Sequence, residues 1–176
     1  MMLIKNVIKQ TLCLLALSGS FGFSGAQALQ KLAFMEGNWQ VETLQRLVSG
    51  DSVLESGTAQ ISYVLSKSYL KLEVELCTVN GCRSYIQLIS YDKYTDLFLS
   101  TYFYSGTVIK VEERGTWQSN ALELKGINPW SSEQMDGINI VSTYQPLDET
   151  RFQLEVDELR RGQWDVGYKS IFHKFQ

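Results

Sequence analysis

Histidine is almost missing from this chain: His173 is the only one in 176 residues. That removes multi-histidine metal sites and the usual histidine general-base arrangements together. No glycine-rich run suits a phosphate, and no serine sits in a nucleophile elbow. Basic charge is not in excess either. The full chain is net −3, and losing the two lysines of its N-terminal segment (Lys5 and Lys9, below) would make it net −5, which argues against nucleic acid or an anionic membrane surface as partner. A membrane-spanning run is lacking as well. The apolar stretch Thr11 to Phe23 is broken by Ser18, Gly19, Ser20 and Gly22 and falls short of the roughly 20 residues a spanning helix needs.

What the N-terminus does contain reads as a secretory signal over residues 1–28. Lys5 and Lys9 form a basic start, Thr11 to Phe23 an apolar centre, and Ala26-Gln27-Ala28 a small-residue site with cleavage expected after Ala28. The competing readings are a retained anchor, disfavoured by the interrupted apolar run, and a lipoprotein at Cys13, whose preceding Gln10-Thr11-Leu12 lacks small residues. The mature chain, 29–176, suits a single domain with one core. It would be periplasmic or secreted, with no stable membrane anchor after cleavage. Of three cysteines it keeps Cys77 and Cys82, an even and local pair expected to be bonded in an oxidising compartment; two reduced thiols are the alternative.

The clearest structural signal is Tyr69 to Tyr91. Leu70, Leu72, Val74 and Leu76 alternate with Lys71, Glu73 and Glu75, the period of a strand with one buried and one wet face. Asn80-Gly81 marks the turn. Two registers bury the same leucines: a two-residue turn at Asn80-Gly81, or a four-residue loop, Thr78 to Gly81, with Gly81 left-handed and Cys77 directly opposite Cys82. The second is expected, because it satisfies the bridge and the glycine together.

The same rhythm predicts strands over Trp39–Val48, Val53–Leu65 (bulged or bent at Gly57), Leu97–Tyr104, Thr107–Trp117, Ala121–Ile127, Ile138–Gln145, Arg151–Leu159 and Trp164–Phe175. A helical turn or two is expected at Leu29–Phe34, and one long irregular loop, a candidate lid, at Asn128–Gly137. The fold class is all-β: an up-and-down antiparallel barrel of about nine or ten strands, with a two-sheet sandwich as the alternative.

Gly37-Asn38-Trp39 resembles the Gly-x-Trp entry of lipocalin and calycin barrels. The whole mature chain is similar to the bacterial family called DUF1579, through Leu32–Trp39, Ile89–Leu99, Gly115–Gly126 and Phe152–Phe175 with its Gly162-x-Trp164. The resemblance implies a calycin-like barrel and names no activity. Where that family ends on arginines this chain has Phe172-His173-Lys174, so no terminal arginine role carries over. Related barrels that resemble nitrobindin hold haem through a late histidine. For this chain the cofactor expectation is none, with haem through His173 kept as a minor alternative.

The candidate ligand-binding residues are Phe98, Tyr102, Tyr104, Trp130, Trp164 and Tyr168. Phe98, Tyr102 and Tyr104 share one face of their strand and Phe103 the other; Trp164, Tyr168 and Phe172 are expected to share a face of the last strand. The barrel is either hollow, binding a small apolar or amphipathic molecule, or filled, acting as a protein-interaction module. An enzyme is the third class. Glu112-Glu113 and Asp157-Glu158 place neighbouring acids on opposite strand faces and read as solvated, so no catalytic residue is assigned.

Overall fold

The alternation that marks one hairpin recurs along the chain, and each strand it produces pairs antiparallel with the strands before and after it. In the computed structural model, which describes residues 25–47, 49–107 and 110–175, ten strands close into an up-and-down barrel. They are β1 (Gly37–Arg46), β2 (Ser52–Val64), β3 (Tyr69–Thr78), β4 (Gly81–Asp92), β5 (Leu97–Tyr104), β6 (Lys110–Gln118), β7 (Ala121–Ile127), β8 (Ile140–Pro146), β9 (Arg151–Arg160) and β10 (Gln163–Lys174). Closure comes from β1 against β10, from Trp39 opposite Lys174 to Gln45 opposite Tyr168. That excludes the sandwich.

A short helix α1 (Gly25–Leu29) and a 3-10 turn (Gln30–Met35) precede β1. Most of the expected signal segment, residues 1–24, lies outside the described residues. The helical piece plugs one end of the barrel, burying Ala28, Leu29, Leu32 and Met35. It is fixed by two bonds from strand side chains: Trp39 Nε1 donates to Met35 O at 2.8 Å and Tyr63 OH to Leu29 O at 2.9 Å. Trp39, Phe152 and Phe172 fill the space beneath it, with Phe152 stacked on Phe172 at 4.2 Å and edge-on to Trp39 at 4.8 Å. This end is a packed core. The other end carries the turns between β1 and β2, β3 and β4, β5 and β6, β7 and β8, and β9 and β10, and no helix among the described residues covers it.

The β3–β4 turn has the expected register: the loop Thr78–Gly81 centres on Val79-Asn80, Cys77 stands directly opposite Cys82 and is bonded to it at 2.07 Å, and Gly81 takes a positive φ of +142°. Two local details differ from the sequence reading. Gly57 is neither bulge nor bend. Its pairing with β1 and β3 is continuous, and it is glycine because a β-carbon would stand 1.8 Å from Glu75 O. The bulge is instead in β10, where register against β9 jumps between Val166 and Tyr168 and leaves Gly167 as the extra residue.

Candidate functional site

Strand parity sets what the barrel interior holds. Below the middle it is apolar, and Phe98, buried and ring-packed against Tyr91 at the plugged end, belongs to that core. Midway it becomes polar. Gln87, Ser100, Glu113 and Ser142 are buried and point inward from β4, β5, β6 and β8, and Tyr102 and Tyr144 complete the layer. Ser142 Oγ donates to Glu113 Oε1 at 2.6 Å and Ser100 Oγ to Glu113 Oε2 at 3.4 Å. Gln87 Nε2 donates to Ser100 Oγ at 2.9 Å, and Tyr144 OH to Gln87 Oε1 at 2.7 Å. The Tyr102 hydroxyl lies 2.6 Å from that of Tyr144 and also bonds the Glu113 carboxyl.

Burial pushes the Glu113 carboxyl up to about 7, while its serine and tyrosine donors pull it partly back. The chain therefore holds an exchangeable proton near neutral pH inside its barrel. This corrects the solvated reading of Glu112-Glu113: Glu112 is outside and ion-paired with Lys110 at 2.7 Å, but Glu113 is 4% exposed. Its parity with Val111 and Trp117 was the available signal. No described buried polar atom in this layer lacks a partner, so the network is closed upon itself.

Above the network the interior opens. Tyr85, Tyr104 and Tyr168 form an aromatic wall, with Tyr85 and Tyr104 rings 5.8 Å apart and the Tyr104 and Tyr168 hydroxyls bonded to each other. Burial raises all three phenols, that of Tyr104 to about 12, so they are neutral donors at any ordinary pH. Arg83 sits beside them, its Nε 3.0 Å and Nη2 2.5 Å from the two oxygens of buried Glu55. Tyr104 and Tyr168 point inward yet are only half-buried, which makes this end of the barrel accessible.

Over the opening lies the β7–β8 loop. Trp130 rests edge-on against Tyr104, centroids 5.4 Å apart, and stays half exposed. The loop is held at its root by Asn139, itself buried, whose Oδ1 accepts from Asn128 N at 2.5 Å and whose Nδ2 donates to Asn128 O at 3.0 Å and Ser131 O at 3.3 Å. At its tip Glu133 Oε2 accepts from Gly162 N at 2.8 Å. Between this loop, the β1–β2 turn and the β9–β10 hairpin runs a cleft of about 780 Å³ that includes Trp130, Trp164, Arg46, Glu158, Arg160 and Asp165.

Trp164 does not share a face with Tyr168. The bulge at Gly167 shifts parity, so Trp164 pairs with Leu159 on the outer face while Tyr168 pairs with inward Val156. It reaches the cleft from the rim, not from the interior. His173 is also on the outer face, between Gln40 and Arg151 and one residue from inward Phe172, at the plugged end. It cannot ligate a haem held inside the barrel. Cys77 and Cys82 are on the outside too; Glu75 lies beside them, but bonded sulfurs are not thiolate ligands.

No protein-family model matches the chain, and no curated protein matches it. Among solved structures, the crystal structure of Rv2717c from M. tuberculosis is similar, with a TM-score of 0.61 at 13% identity over 85% of this chain and 98% of that one. At that identity the likeness is one of fold.

Proposed function

We propose that this protein binds a small apolar or amphipathic ligand at the open end of its barrel. The observation that carries the reading is the cleft of about 780 Å³ at the rim of the open end, lined by Trp130 and Trp164, with Trp130 also seated on the inward Tyr104. That volume falls within the range of small-molecule pockets, and a few convergent polar groups among aromatic rings are how such pockets fix orientation. Because the plugged end is filled and the Glu113 layer is closed, the ligand occupies the mouth and not the full depth. Binding should quench Trp130. Titration with dodecanoate, a tetrapyrrole and a neutral oligosaccharide, each followed by tryptophan emission, tests this: saturable quenching by any one of them that disappears in Trp130→Phe supports it, and no quenching by all three opposes it.

We further infer an extracytoplasmic address. The Cys77–Cys82 bridge fits a secreted or periplasmic protein. N-terminal sequencing of envelope material should begin at Leu29, so that the mature plug keeps Leu29, Leu32 and Met35 and loses residues 25–28.

A second reading, a protein-interaction module, is favoured by one observation. Leu44 and Leu54 are directly opposed on the outer faces of β1 and β2 and are 52% and 68% exposed. Sedimentation of the wild type against Leu54→Glu tests for a self-associating face there.

A further inference from the structure

The cleft at the open end has a composition that narrows the chemistry of its occupant. Of the four tryptophans in the chain, Trp39 is 1% exposed and Trp117 packs against the core, whereas Trp130 and Trp164 are 51% and 37% exposed and both line the cleft. Two large indoles left facing one solvent-filled space offer flat apolar platforms. Around them the charges are matched. Arg46 pairs with Asp165 at 2.6 Å and Arg160 with Glu158 at 2.6 Å, while Glu133 takes the Gly162 amide at 2.8 Å and faces Arg161.

Three guanidinium groups and three carboxylates thus leave no net charge for an ionic headgroup. An anion that captured Arg46 or Arg160 would strip Asp165 or Glu158 of its partner. Each pair nevertheless keeps spare capacity: a guanidinium has five N–H donors and a carboxylate about four lone-pair sites, and Arg160, which spends two donors on Glu158 and two on Arg46 O, keeps one. A ligand satisfying this surface needs an uncharged rim of groups that both donate and accept, and an apolar flat face. A pyranose ring has both: hydroxyls around its edge and C–H bonds across its face.

We propose that the cleft is a saccharide site, in which neutral sugar rings lie against Trp130 and Trp164 and their hydroxyls bond the Arg46–Asp165 and Arg160–Glu158 pairs. This rests on the mouth-binding reading and names the amphipathic ligand's class.

The test uses the four indole N–H signals of 15N-labelled protein, assigned with Trp130→Phe and Trp164→Phe. Maltotriose, cellotriose and chitotriose are titrated separately, and dodecanoate in a parallel series. At least one trisaccharide should move the Trp130 and Trp164 signals saturably while those of Trp39 and Trp117 stay in place. Trp164→Ala, on the outer face, should weaken that binding by about tenfold or more, as loss of an aromatic anchor does, without changing the melting temperature. If no trisaccharide moves either signal but dodecanoate moves Trp130, the saccharide assignment is overturned and mouth binding stands. If neither class moves them, both fall.

Discussion

Ser142 and Glu113 meet across the barrel interior, hydroxyl to carboxylate at 2.6 Å, from strands that are not neighbours in the sheet. The contact exists because β6 and β8 both turn polar side chains inward at the same height. It ties a titrating group to the core, and stability should report it. With the Glu113 carboxyl raised from 4.5 to about 7, the folded state holds a proton between those values that the unfolded state has released. Stability is therefore highest below the unfolded value, falls as pH rises through the window, and levels off above about 7. The fall should be roughly 3 kcal/mol. Urea unfolding at pH 5 and pH 8 measures it, and Glu113→Gln should flatten the difference; an equal slope in the variant would place the pH dependence elsewhere.

Gly57 is held to glycine by approach, not by conformation. Gly57→Ala drives a β-carbon toward Glu75 O, 1.8 Å away, so β2 and β3 must separate, at about 2–4 kcal/mol. Gly50→Ala, with open space around it but a φ of +95°, should lose about 1 kcal/mol. Comparing the two melting curves separates crowding from backbone strain.

Asn139 is the root of the mouth loop. Asn139→Ala leaves Asn128 N without its side-chain acceptor and should cost roughly 2–3 kcal/mol, in line with breaking several buried bonds. The same change should speed amide exchange across the β7–β8 loop while leaving β3–β4 protected, which hydrogen-exchange mass spectrometry resolves.

The bridge between Cys77 and Cys82 closes a separation of only five residues. Chain entropy then assigns it about 2 kcal/mol, and it pins the hairpin tip. Alkylation of the denatured protein without reductant should label neither residue. Uptake at both would show reduced thiols.

How much of this was legible in the sequence follows from what each signal encodes. Alternation reports burial of one strand face, so Leu70, Leu72, Val74 and Leu76, and the strand Leu97–Tyr104, are readable at once; ten such segments give an all-β chain, and the pairing of β1 with β10 makes it a barrel and not a sandwich. Glycine reports only that a side chain is not wanted. It cannot say whether the cause is a close neighbour, as at Gly57, or an inserted residue, as at Gly167, and that ambiguity put Trp164 on the wrong face. Glu113 was hidden for another reason: an acid in a strand is usually wet, and only the tertiary gathering of Ser100, Tyr102 and Ser142 makes its burial tolerable. Trp130 was recognisable as a loop aromatic, but its partner Tyr104 follows from closure of the barrel.

Occupancy of the mouth is tested most directly by native mass spectrometry of the mature protein mixed with dodecanoate or with maltotriose, cellotriose or chitotriose. One bound molecule per chain is expected with at least one of these compounds, and its fraction should drop sharply in Tyr104→Ala/Trp130→Ala, whose folding is checked by its retained Cys77–Cys82 bridge and cooperative melting. Bare mass at every ligand concentration, or adducts that persist unchanged in the double variant, would contradict ligand binding at the open end.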